Sequence, residues 1–124
     1  MKDILWVSVG AILGANLRYG MSRWIGRLIP VDFPWATLLI NVTGSFLLGL
    51  FFMWARQRMH LDMRWRLIVA VGFCGGYTTF STYAFDTMDL FNQGRWAFAA
   101  LNVGASTILG LLAVFGGAYL GQRL

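Results

Sequence analysis

The chain has 124 residues, 58% of them hydrophobic and 12% charged, with ten Lys/Arg against five Asp/Glu for a net charge of +5. Soluble domains run near half apolar and a quarter charged, and so short a chain cannot hide this much apolar surface in a core of its own. The composition argues against a water-soluble enzyme, and it turns the basic balance from a sign of nucleic acid into membrane flanking, because nearly all the charges lie between long apolar runs.

The first apolar run, about 4–25, is interrupted by Arg18 and Arg23. Lys2 followed by apolar residues also has the outline of a signal peptide, but no cleavage site follows and helical, apolar sequence continues past Arg18, so a first transmembrane helix is expected. Pro30 and Pro34 bracket Val31-Asp32-Phe33 and predict a break before the second helix. Three stretches then carry no charge at all: Trp35 to Ala55, Leu67 to Phe85, and Trp96 to Gln122. Each is about the 20 residues a helix needs to cross roughly 30 Å of hydrocarbon. The expected helices cover about 4–25, 35–55, 66–90 and 96–121 in one domain, an all-α integral membrane protein. A basic loop, Arg56 to Arg66, and a turn at Asn92-Gln93-Gly94-Arg95 connect the later spans. The lone Cys74 lies in an apolar run and is expected to be a small buried side chain.

Charge by side favours cytoplasmic termini, with Lys2, Arg56, Arg58, Arg64, Arg66 and Arg123 on one side against Arg23, Arg27 and Arg95 on the other. The margin is small, and inverted or dual insertion stays open. About 90 intramembrane residues make a thin bundle, so self-association is expected. Small residues at Gly10-xxx-Gly14, Ser106-xxx-Gly110 and Gly117-xxx-Gly121 permit close helix approach without naming the partner.

Polar residues inside the spans are more telling, because each needs a partner away from lipid. Asn41, Thr43 and Ser45 lie in the second span, Asn102, Ser106 and Thr107 in the fourth. The densest cluster is Gly75-Gly76-Tyr77-Thr78-Thr79-Phe80-Ser81-Thr82-Tyr83 in the third. Paired glycines followed by hydroxyl residues read as a mid-membrane interruption, whose backbone would be buried in protein or line a watery cavity. Freed carbonyls there suit a cation and freed N–H groups an anion. A continuous helix with hydroxyls bonded back to the preceding turn is the alternative.

No carboxylate lies within the spans before Asp86 and Asp89, near the end of the third. That counts against proton-coupled exporters, and no acid–base pair, metal-ligand cluster or activated nucleophile is present for catalysis. His60 sits in the basic loop and reads as solvated. The pattern suits a small anion instead. Asn41 offers N–H donors without a trapping charge. Phe80 and Tyr83, three apart on one helix face, present positive ring edges, although such spacing also serves plain packing. Arg18 places a cation in or at the edge of the first span, where it could equally snorkel.

These residues resemble the bacterial Fluc (CrcB-type) fluoride channels over essentially the whole chain. The resemblance rests on Gly14-Ala15-Asn16-Leu17-Arg18, on Ala36-Thr37-Leu38-Leu39-Ile40-Asn41-Val42-Thr43-Gly44, and above all on Gly72-Phe73-Cys74-Gly75-Gly76-Tyr77-Thr78-Thr79-Phe80-Ser81-Thr82. It implies an antiparallel, dual-topology homodimer in the bacterial inner membrane, with two fluoride pathways and a passive export that confers fluoride resistance. It further implies a structural sodium ion at the dimer interface, held by backbone carbonyls that fall here on Gly75 and Thr78. The pathway residues it implies are Asn41, Phe80, Ser81, Thr82 and Ser106, with Thr79 beside them and Asn102 a second candidate on the fourth helix. Arg18 takes a vestibule or structural role. The family's second pore phenylalanine falls on Tyr83, which keeps the ring and adds a hydroxyl. A small multidrug-type dimeric exporter is the rival transport reading, but it requires a membrane-embedded glutamate, and this sequence has no glutamate. A structural assembly subunit would not need the hydroxyl–aromatic cluster.

Overall fold

The computed structural model describes residues 1–30, 32–58 and 60–124; Val31 of the expected proline-flanked break lies outside them. Among the described residues four helical stretches are long and apolar enough to cross a membrane: Lys2–Leu28, Trp35–Arg56, Met63–Asn92 and Trp96–Gly121. We label the elements α1 (Lys2–Leu28), α2 (Trp35–Arg56), α3 (Met63–Arg66), a π-helical segment (Leu67–Cys74), α4 (Gly75–Tyr77), α5 (Phe80–Asn92) and α6 (Trp96–Gly121).

α1 runs unbroken past Arg18 and Arg23, with Asp3 in its first turn and Arg27 in its last, each on the favourable end of the helix dipole. It stops where Ile29, which precedes Pro30, takes an extended conformation (φ −121°, ψ 136°), as a residue before proline prefers. Phe33 is buried in the connection and its ring packs 4.9 Å from that of Trp35, which opens α2. Asp62 starts α3 by accepting the Arg64 N–H at 2.9 Å. The turn into α6 is made at Gly94 (φ 72°), in the left-handed region that favours a residue without a Cβ.

Two broad helix contacts build the bundle, α2 along α6 and α1 along the π-helical segment and α4. Glycine makes both close. A Cβ at Gly10 or Gly14 would overlap the Ile68 or Phe73 carbonyl, and one at Gly117 or Gly121 would overlap the Phe46 or Leu50 carbonyl. The small-residue pairs of the first and last spans are therefore used inside the chain. Gly110 is looser, with Ser45 Oγ 3.9 Å from where its Cβ would stand. Cys74 is buried, while large apolar side chains such as Phe115, 69% exposed, point outward along the spans. A bundle with so little covered surface suits a lipid surround.

Candidate functional site

The third span is where the backbone departs from a regular helix. Gly75 and Gly76 lie in helical conformation, and the departure falls just after them: Thr78 (φ −80°, ψ 159°) and Thr79 (φ −152°, ψ 114°) are extended before α5 begins at Phe80. The glycine pair has a packing role instead. A Cβ at Gly76 would press on the Ala11 backbone of α1, whereas Gly75 faces open space. Threonine suits the extended residues, since β-branching favours that backbone and the hydroxyl can cap the next helix.

Side chains of α2 hold this stretch in place. Asn41 Oδ1 accepts the Thr79 N–H at 2.8 Å, and Asn41 Nδ2 donates to the Thr79 carbonyl at 3.1 Å. Two residues on, the Thr43 hydroxyl donates to the Leu39 carbonyl at 2.7 Å, so the buried Tyr77 hydroxyl, 3.0 Å away, is the donor in their contact. Gly44 leaves room for the Thr78 methyl and the Tyr77 ring. Thr79 Oγ1 then caps α5 by accepting the Thr82 N–H at 3.2 Å.

Thr78 turns back, its N–H and hydroxyl donating to the Cys74 carbonyl at 3.0 and 2.9 Å. The carbonyls of Gly75, Gly76 and Tyr77 are the end-of-helix acceptors beyond it, since the Thr79 N–H that would continue the ladder belongs to Asn41.

A side-open cavity of about 410 Å³ lies against this stretch, between α2, the third span and α6. Asn41, Thr79, Phe80, Tyr83 and Ser106 line it, and so do Gly75 and Thr78. Ser81 and Thr82 do not. Phe80 and Tyr83 share one face of α5, and the two residues between them point to other sides and stand exposed on its first turn. The rings of Phe80 and Tyr83 lie 5.5 Å apart at 47°, and Phe80 is 79% exposed. Arg18 is half-buried on α1 and is not in the cavity lining.

From the cavity wall a chain of hydrogen bonds leads away along α5 and α6. Ser106 Oγ donates to Asn102 Oδ1 at 3.4 Å, Asn102 Nδ2 to Thr87 Oγ1 at 2.9 Å, and Thr87 Oγ1 to the Tyr83 carbonyl at 2.8 Å. Asn102 is 1% exposed, so it is the buried pivot of this chain while Ser106 is the cavity residue. The lining is mostly apolar, and the polar groups set in it are uncharged, among them the Asn41 amide and the hydroxyls of Thr78, Thr79, Tyr83 and Ser106.

The family described as CrcB-like protein, Camphor Resistance (CrcB), matches residues 5–118. The chain belongs to the CrcB family. Its similarity to curated members is close and nearly end to end. It is 52% identical to the fluoride-specific ion channel FluC of Koribacter versatilis, over 94% of this chain and 92% of that protein. It is 46% identical to the fluoride-specific ion channel FluC 2 of Symbiobacterium thermophilum, over 95% and 93% of the two chains. It is 42% identical to the FluC of Acidobacterium capsulatum, over 97% and 96%. Membership of the CrcB family, whose members carry the name of a channel, makes this chain a multi-pass membrane protein and not an enzyme.

Two contacts of this CrcB chain had no signal in the sequence. Thr37 Oγ1 donates to Asp86 Oδ2 at 2.6 Å, joining residues 49 apart. Asp86 also lines a smaller cavity of about 150 Å³ with Asp32, Asp89 and Arg95. The second is Tyr77 with Thr43, 34 residues apart. Neither spacing forms a periodic pattern, so only the packing of α2 on the third span brings them together.

Proposed function

We propose that this chain is a fluoride-selective channel of the bacterial inner membrane, letting cytoplasmic fluoride leave passively and so conferring fluoride resistance. The observation that carries the reading is the cavity at Thr78–Thr79, lined by Asn41, Phe80, Tyr83 and Ser106 without a single charged side chain. The fluoride-specific names of relatives up to 52% identical point the same way. A strongly hydrated anion needs replacement donors when it sheds water. Fixed positive charge would hold it too tightly, since conduction requires sites weak enough to leave. Hydroxyls, amide N–H groups and ring edges meet that condition. Hydrogen fluoride crossing the membrane ionises in the more alkaline cytoplasm, and a potential negative inside then drives the anion out.

The pathway assignment follows the cavity: Asn41, Thr79, Phe80, Tyr83 and Ser106 along it, with Ser81 and Thr82 at its outer rim on α5. Asn41 acts with one amide hydrogen, because the other is given to Thr79. Arg18 serves as a vestibule or structural cation. The cavity opens sideways onto the exposed face of Phe80 and Gly75, which a second, antiparallel copy in a dual-topology homodimer would complete. Gly75 and Thr78 would hold a structural sodium ion there through their carbonyls, and the Gly75 carbonyl, left without the Thr79 N–H on an exposed glycine, is a hard oxygen donor that supports the reading. Two carbonyls from each copy would bind the ion, whose charge would tie the two subunits together.

Anion efflux from proteoliposomes, fluoride against chloride, tests the reading. Fluoride efflux with chloride retained is the expected result, and equal rates or no flux would overturn it.

A further inference from the structure

A second cleft, of about 280 Å³, lies between the end of α2 and the start of the third span, lined by Phe51, Phe52, Ala55, Arg56, Arg66 and Ala70. We propose that it binds the phosphate of an anionic phospholipid between Arg56 and Arg66, with an acyl chain lying against Phe52. α2 ends at Arg56 and α3 ends at Arg66, so two consecutive helices bring their cations to the same membrane boundary. An apolar residue stands about one turn deeper behind each cation: Phe52 four before Arg56 on α2, and Ala70 four after Arg66 in the π-helical segment that continues α3. A charged rim above an apolar slot is the outline of a phospholipid, headgroup over tail.

The charges in this cleft are uncompensated. No carboxylate lines it, and Asp62, the acid of the intervening loop, is engaged by Arg64 through a 2.7 Å hydrogen bond and an ion pair. Other arginines at this end have protein partners. Arg58 lies over the Trp54 ring at 4.2 Å, and Arg123 reaches the hydroxyl and ring of Tyr119. Among the described residues, neither Arg56 nor Arg66 makes a side-chain hydrogen bond or ion pair. Two planar guanidinium forks on separate helices match the oxygens of one phosphate, and basic pockets between transmembrane helices suit such headgroups. A bare halide would gain only the charge and would leave the apolar slot unfilled.

The cleft shares Ala70 with the cavity of the proposed fluoride pathway, but Arg56, Arg66 and Phe52 lie outside that cavity, so lipid binding is read by itself and without flux. The full chain, purified in detergent, is titrated with phosphatidylglycerol, phosphatidylcholine or inorganic phosphate, and bound lipid is counted by native mass spectrometry. Wild type is expected to retain phosphatidylglycerol over phosphatidylcholine. Arg56→Gln and Arg66→Gln are each expected to weaken that retention by about tenfold, while Arg123→Gln leaves it unchanged. Both arginines are exposed, so the single variants should elute as wild type does. Equal retention in the Arg56→Gln and Arg66→Gln variants would overturn the proposal. So would equal retention of phosphatidylcholine, or displacement of the lipid by inorganic phosphate at matching concentration.

Discussion

Asn41 engages both backbone groups of Thr79, taking its N–H at 2.8 Å and giving an amide hydrogen to its carbonyl at 3.1 Å. A single side chain on α2 thus satisfies the peptide units that an extended residue inside a helical span would otherwise leave unpaired. Each such group costs several kcal/mol in hydrocarbon. Asn41 is therefore a structural clamp as well as a cavity residue.

Asn41→Ala should lower thermal stability by about 1–3 kcal/mol, the cost of leaving partners unsatisfied. Asn41→Asp keeps the acceptor for the Thr79 N–H but loses the donor and adds a negative charge to the cavity. It should cost less stability than alanine yet suppress fluoride efflux more strongly. Unfolding midpoints and liposome efflux, measured on both variants, check the split.

Thr79 Oγ1 caps α5 by accepting the Thr82 N–H. Thr79→Ala should cost about 1 kcal/mol of stability, and Thr79→Ser should recover most of it. The comparison is made on unfolding midpoints in detergent.

Tyr83 lies beside Phe80 with ring centroids 5.5 Å apart on the cavity wall. If the ring edge is what serves the anion, Tyr83→Phe should conduct within a few-fold of wild type. Tyr83→Ile should then lose about tenfold in flux, a change of about 1.4 kcal/mol in the barrier. Unchanged efflux in both variants would remove Tyr83 from the pathway.

The adjacent glycines should separate by readout. Gly76→Ala meets the Ala11 backbone, so it should destabilise the chain by about 1–3 kcal/mol through overpacking. Gly75→Ala meets nothing among the described residues and should leave the fold intact. With a second copy packed on that face, Gly75→Ala should instead shift the protein toward monomer in single-molecule subunit counting.

The Asp62 carboxyl is held below the usual carboxylate range, mainly by the Arg64 side-chain hydrogen bond and then by the Arg64 N–H. A depressed folded value means that its contribution is fully present above the unfolded value of about 3.9 and fades as pH falls through the folded one. Stability from this group should be flat from about pH 8 to about pH 5 and decline in stronger acid. Asp62→Asn should decline less over the same acid range, as followed by the unfolding midpoint.

The third span shows how much could be read along the chain and where reading stopped. Gly75-Gly76 followed by hydroxyl residues marked a nine-residue window. The extended residues within it are Thr78 and Thr79, because the glycines are taken up by the close approach to α1 and the threonines by α2. Likewise, Gly10 with Gly14 and Gly117 with Gly121 announced close packing but not with whom; their partners lie within the same chain. Ser81 and Thr82 belong to the same motif, but helical rotation turns them off the face that carries Phe80 and Tyr83.

Four spans, their approximate limits and their neutral polar interior were legible in the sequence alone, because hydrocarbon thickness and the cost of buried charge act on composition and length without reference to fold. The pairing of α2 with α6 and of α1 with the third span, the grip of Asn41 on Thr79 and the meeting of Thr37 with Asp86 were decided by tertiary structure. These contacts join residues 38 and 49 positions apart, and only the packing of two helices side by side converts such separations into hydrogen-bond distances.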